Sequence, residues 1–155
     1  AERLKFFPSD ASTEALIRCI GDDDSNELED RIAKRKAIES LGRFRGEYMK
    51  DQVIEAVLTK LEDDDQYTVE VAVWTLSEVG FDDEKIGARI VSLLDRDDVN
   101  KRVIMQAISS CEISEGIGRI RDFLEDEDLA TRCAAIGALS RLTGDKEVLK
   151  GKFFA

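Results

Sequence analysis

The segment RIAKRKAIESLGRFR sets Arg31, Lys34, Arg35, Lys36, Arg43 and Arg45 around one acid, Glu39, in a chain whose net charge is −11. Arginine's planar fork binds carboxylates through paired hydrogen bonds, so this basic island could anchor an acidic ligand. The plainer reading is a solvated helix face that offsets the acidic turns beside it. A second candidate is aromatic. Tyr67, Glu70 and Trp74, the last being the chain's only tryptophan, follow i, i+3, i+7 spacing and therefore share one face of a helix. Trp and Tyr dominate binding hot spots, which makes an outward aromatic pair a recognition surface. The alternative is that Trp74 packs on a neighbouring element, and spacing alone does not decide between the two. When the helix ends are aligned, position 74 corresponds to Lys36, Gln106 and Gly137, and position 70 to Ile32, Arg102 and Cys133. The candidate ligand- or partner-binding residues are thus Trp74, Tyr67, Glu70, Arg35, Lys36, Arg102 and Gln106.

Residues suited to catalysis are sparse. The chain has no histidine, which removes the usual triads, histidine metal sites and the commonest general base. Cys19, Cys111 and Cys133 show no CxxC spacing, indicate neither a disulfide framework nor a zinc site, and sit in apolar helical contexts where cysteine is usually inert core. Neither GxxxxGK nor GxGxxG occurs; Gly116 and Gly118 in EGIGRI lack the third glycine and a preceding strand. In DDDSNELEDRIA, Asp22, Asp24 and Asn26 match the opening of a calcium loop. Glu27 replaces its turn glycine and Ala33 its bidentate glutamate, so calcium is rejected. No catalytic residue and no metal ligand is assigned.

The elements that must carry these residues form a repeat. Four acidic runs, Asp22–Asp24, Glu62–Asp65, Asp95 with Asp97 and Asp98, and Glu125–Asp128, hold 14 of the 34 acidic residues. The other 20 acids are fewer than the 23 Lys and Arg, so the body is near neutral and the charge lies in turns; duplex binding has no electrostatic basis. Each run follows an apolar helix end, at Ile20, Leu61, Leu94 and Leu124, at intervals of 41, 33 and 30 residues. After each run comes a second helical pattern, and two helices per unit at this period imply an α-solenoid. Val69, Ala72, Val73, Leu76 and Val79 make one apolar stripe, matched by Arg132, Ala135, Ile136, Leu139 and Leu142. The acids are read as helix N-caps, and Gly42, Gly80 and Gly144 as left-handed helix ends. Helices are expected near residues 10–20, 30–41, 48–61, 67–79, 83–94, 99–111, 113–124, 129–142 and from 145 onward. The fold class is all-α, an α-solenoid of HEAT-like helix pairs with about four repeats and a partial fifth, forming a single domain over 1–155.

At 155 residues the chain can bury a real core. No apolar stretch approaches the roughly 20 residues that span a bilayer, and the N-terminus lacks a signal-peptide pattern; a soluble, cytoplasmic protein with reduced thiols is expected. The start at Ala1 and the close on GKFFA, with Phe153 and Phe154 like the buried side of a helix just begun, suggest a piece of a longer protein.

The blocks KAIESLGRFRG and LEDDDQYTVEVAVWTLSEVG, with FFPSDASTEALIRCI leading in, resemble the short HEAT-like repeats of cyanobacterial phycobilisome bilin lyases of the E/F type and their relatives. The resemblance covers nearly the whole chain. It implies a bilin lyase or chaperone-like lyase subunit that promotes thioether attachment of a linear tetrapyrrole to a phycobiliprotein cysteine. The phycobilin would be substrate, not a permanently bound cofactor. The partners would be a phycobiliprotein subunit and a second lyase subunit, with neither nucleic acid nor membrane involved. Such a ligand fits the residues: Arg35, Lys36 and Arg102 would hold its propionates, and Tyr67 and Trp74 would stack on its conjugated body. The alternative is a non-enzymatic HEAT-like adaptor that binds a protein partner on the concave face lined by its second helices.

Overall fold

The computed structural model describes residues 7–21 and 27–144, and among them every regular element is helical. The chain clusters into two compact units, Ala1–Asp82 and Asp83–Ala155. The first contains α1 (Asp10–Gly21), α2 (Leu28–Arg43), α3 (Lys50–Leu58) and α4 (Gln66–Val79). Within it α1 packs on α2 and α3 on α4, while α1 also meets α3 and α2 meets α4 over the largest contact of the unit. First helices therefore form one layer and second helices the other. The second unit repeats this plan with α5 (Glu84–Ser92), α6 (Lys101–Ser110), α7 (Gly116–Asp122) and α8 (Leu129–Thr143). The helix expected from 145 onward and the acidic run Asp22–Asp24 lie outside the described residues.

The stripe read from spacing is the core. Val69, Ala72, Val73 and Leu76 of α4 are fully buried and Val79 nearly so, as are Ala37, Ile38 and Leu41 of α2. Leu16 and Ile20 from α1 and Val53, Val57 and Leu61 from the α3 region complete the first unit's interior. Each large apolar side chain removed from water contributes about 1.5–3 kcal/mol, so these pairs cohere by facing one another across the layers. In α8, Ala135, Ile136 and Leu139 are buried, whereas Leu142, the last member of that stripe, is only half-buried near the helix end. Arg132, the one charged member of that stripe, turns its guanidinium onto the backbone carbonyls of Asp126 (2.6 Å) and Glu127 (3.1 Å).

Three first helices tighten into a 3-10 turn that ends on the first acid of the run: Thr59–Glu62, Leu93–Asp95 and Phe123–Glu125. Two of the runs then cap the next helix. Asp65 accepts from the Thr68 N–H (3.2 Å) and hydroxyl (2.7 Å), and Asp128 accepts from the N–H groups of Ala130 (3.3 Å) and Thr131 (3.0 Å) and the Thr131 hydroxyl (2.8 Å). The third run differs from expectation. Its helix starts two residues later, behind buried Val99, so Asn100 is the cap and accepts from Arg102 N–H (3.1 Å), while Asp98 pairs with Arg96 at 2.6 Å.

Gly144 (φ 66°, ψ 7°) closes α8 in the left-handed conformation expected, while Gly80 (φ 74°, ψ 144°) follows α4 with positive φ but an extended ψ, a conformation that also favours glycine. Gly42 is a correction: it lies inside α2, and the positive-φ residues between that helix and α3 are Arg45, Gly46 and Met49. Its role is close approach. A Cβ at Gly42 would stand 2.7 Å from Cζ3 of Trp74, 3.0 Å from Oγ1 of Thr75 and 3.2 Å from Cα of Thr75. The fully buried Thr75 donates its hydroxyl proton to the Ile38 carbonyl at 2.9 Å, which fastens α4 to α2 at the same crossing.

Candidate functional site

The 16 residues of α2 present Ile32, Arg35, Lys36 and Glu39 at i, i+3, i+4, i+7 spacing, hence on one face. With Val71 of α4 they line an open depression of about 350 Å³. That is at the small end of ligand sites, and its walls combine two cations and an acid with branched aliphatic side chains. The basic island and the aromatic helix, separate in the sequence, meet here.

Arg35 joins them. Its guanidinium carbon lies 5.4 Å from the centroid of the Tyr67 ring, and its Nε lies 3.7 Å from Oδ2 of Asp65. The Asp65 carboxylate therefore caps α4 and faces Arg35 at once, with only 13% of its side chain exposed. Tyr67 leaves 55% of its surface in solvent, so the far part of the ring is available to a ligand.

Glu39 holds two further cations. Lys36 Nζ donates to it at 3.0 Å and Arg43 Nη2 at 2.6 Å, all three groups being on α2. The Arg43 hydrogen bond, and then that of Lys36, keeps the Glu39 carboxyl below the usual glutamate range against a smaller opposing effect of burial. At neutral pH it is ionised. Much of the positive charge that the sequence shows is thus already matched inside the protein, and Arg45 likewise faces Glu78 at 3.7 Å.

Trp74 is half-buried, with one ring edge against Gly42, so it serves the α2–α4 crossing, and it is not among the residues that line the depression. Glu70, on the same helix, is also half-buried. Arg102 and Gln106 belong to α6 of the second unit. Both are exposed; Arg102 Nε donates to Asn100 (3.3 Å), and the Gln106 amide to Ser110 (3.3 Å). The three cysteines are half-buried and unpaired by disulfide, and burial pushes the Cys111 thiol up. Among the described residues, no group of three or more histidine, cysteine or acidic side chains is placed to hold a metal ion. No helix there is long and apolar enough to cross a membrane.

Sequence reasoning left out Ile32 and Val71 as lining residues. The available signal was weak: Ile32 stands four residues before Lys36, and Val71 four residues after Tyr67. Nothing in that spacing says that α2 and α4 pack directly together.

Fold and site together define an all-α protein of helix pairs whose candidate site is an open groove between the second helices α2 and α4. Over 145 residues, 94% of the chain, it is 40% identical to phycocyanin operon protein Y of Pseudanabaena tenuis, and the match covers 33% of that protein. Over 113 residues, 73% of the chain, it is 30% identical to the bilin biosynthesis protein CpeY of Synechococcus sp., covering 26% of it. The chain spans about a third or less of the length of these curated relatives. The solved complex of CpcE and CpcF, the phycocyanin lyase from Nostoc sp., shares its fold, with a TM-score of 0.76 and 22% identity over 92% of this chain and 56% of that one. No protein-family model matches. The chain resembles the E/F-type bilin lyases and is related in sequence to a phycocyanin operon protein and to a bilin biosynthesis protein; its fold class is the α-solenoid of helix pairs.

Proposed function

We propose that the chain is part of a bilin lyase or chaperone-like lyase subunit, in which the α2–α4 groove receives a linear tetrapyrrole during thioether attachment to a phycobiliprotein cysteine. The observation that carries this reading is the joining of Arg35 and Lys36 with Ile32 and Val71 in one open depression, with Arg35 also lying over the Tyr67 ring. A bilin offers two propionates and a flat conjugated body. Arg35 and Lys36 suit the carboxylates, and the exposed Tyr67 ring suits the π-surface. A depression of this size takes one part of such a molecule and leaves the rest accessible to the acceptor.

The chemistry asks little of the chain itself. The acceptor thiol adds across a carbon–carbon double bond of the bilin: the C–S bond forms, the π bond opens, and the thiol proton ends on the neighbouring carbon. No oxidant and no leaving group is required. The protein's contribution in this reading is proximity and orientation, which in well-ordered systems supply several kcal/mol of the barrier. The partners are a phycobiliprotein subunit and a second lyase chain; CpcE was solved together with CpcF.

The test is a titration of the purified chain with phycocyanobilin, read by absorbance, with and without an apo-phycobiliprotein subunit. The expected result is a shifted bilin spectrum that Arg35→Ala and Tyr67→Ala each weaken several-fold. An unchanged spectrum in both conditions would sink the lyase reading. If the biliprotein subunit binds while the bilin spectrum stays unchanged, the chain is an adaptor.

A further inference from the structure

The groove's second cationic seat is occupied by the protein's own carboxylate. Lys36 and Arg43 lie on either side of Glu39 in sequence, three and four residues away, and both donate to it, at 3.0 and 2.6 Å. Glu39 lines the depression with Lys36, Ile32 and Val71, and its side chain is 27% exposed against 49% and 55% for its two partners. A carboxylate held at the wall of an open groove by two largely solvated cations sits where an incoming carboxylate would sit. Ion pairs of this i, i+3 and i, i+4 kind are weak, because side-chain entropy and solvent oppose them, so they exchange readily.

We propose that Glu39 is an internal competitor for the groove's anion seat: an acidic ligand with a flat apolar body binds by displacing Glu39 from Lys36 and Arg43, and Glu39 sets the threshold for doing so. This deepens the functional reading above and rests on it for the identity of the natural ligand. The seat itself is independent of that identity. Arg35 is differently placed: its Asp65 partner is fixed as the cap of α4 and its face is covered by Tyr67, so it stays put while the Lys36–Arg43 pair changes partner. Glu39 acts as a specificity device. A neutral ligand gains nothing from displacing it, and a second anion near an undisplaced Glu39 meets like charge at close range.

The experiment uses Glu39→Gln, an isosteric change that removes the charge and keeps hydrogen-bonding capacity. The probes are 1-pyrenebutyrate and its neutral counterpart 1-pyrenebutanol, followed by pyrene fluorescence, with far-ultraviolet circular dichroism to check that helicity is retained. Glu39→Gln should bind pyrenebutyrate about two- to fivefold more tightly than wild type, the scale of a released surface ion pair. Pyrenebutanol affinity should not change. The gain should vanish in Glu39→Gln/Lys36→Met. Equal affinity of wild type and variant for pyrenebutyrate overturns the proposal, as does absence of binding to both, or an equal gain for the alcohol. Phycocyanobilin is titrated in parallel. If the pyrenebutyrate gain is present but the bilin gives no spectral response, the anion seat stands and the chromophore reading fails; the reverse pattern rejects the competitor role and leaves the chromophore reading.

Discussion

Two glycines inside helices should respond to alanine with opposite signs. In a helix interior, Gly→Ala is worth about 1 kcal/mol of added stability from propensity alone. At Gly137 of α8 a Cβ would meet nothing within 4 Å, so Gly137→Ala should realise up to about 1 kcal/mol of that gain. Gly42 differs because α4 lies on it. The ring edge of Trp74, 2.7 Å from the new Cβ, can tilt away, but Cα of Thr75 at 3.2 Å is backbone and moves only if α4 moves. Overpacking of this kind costs about 1–3 kcal/mol, and loosening the Thr75–Ile38 hydrogen bond costs about 1 more. Against the propensity gain, Gly42→Ala should be destabilised by about 1–3 kcal/mol. Urea denaturation measures both variants by helicity, and Trp74 fluorescence reports on the first unit specifically. In a Trp74→Ala background the Gly42→Ala penalty should shrink, because one of its clashes is gone. If Gly42→Ala is as stable as wild type, or changes in the same direction as Gly137→Ala, the close α2–α4 crossing is wrong.

Asp65→Ala removes the α4 cap and the carboxylate that faces Arg35; it should cost about 1 kcal/mol in urea midpoints, while Asp65→Asn, which can still cap, should lose less. Acid sensitivity has a definite sign. The Asp128 carboxyl is lowered on folding, first by the Thr131 hydroxyl and then by the Thr131 and Ala130 N–H groups, and Asp98 is lowered by its hydrogen bond from Arg96. Stability from such groups is complete above the unfolded carboxylate value of about 4 and is lost as pH falls through the lower folded values. Asp128→Asn should therefore show a shallower loss of stability than wild type when denaturation is followed downward from pH 4. An identical slope would remove Asp128 from that role.

The architecture was legible because the signals that specify it are local and repeated. Leu61 and Leu94 before acids, and the Val69 to Val79 stripe after them, fix helix pairs without knowledge of what they pack against. Capping chemistry was legible where an aspartate directly precedes the helix, at Asp65 and Asp128. It was misplaced at the third run, where Val99 turns inward and the cap falls on Asn100. Gly42 was legible as a glycine but not in its cause, since a close helix crossing is a tertiary fact. The site followed the same pattern. Arg35, Lys36 and Tyr67 stood out by type, whereas Ile32 and Val71 are ordinary helix residues until α2 meets α4, and the charge balance of the basic island depends on Asp65, 30 residues from Arg35 in sequence.

The most direct measurement is the rate of thioether formation between phycocyanobilin and an apo-phycobiliprotein subunit, followed by mass and by absorbance of the adduct. It would be taken with no addition, with the chain, and with its Arg35→Ala/Tyr67→Ala variant at matched helicity. Attachment faster or more selective than spontaneous addition in the presence of the chain, and reduced toward the spontaneous level by the variant, is the expected result. Attachment at the spontaneous rate and selectivity with the chain present, or full acceleration by the variant, would contradict the groove's assignment.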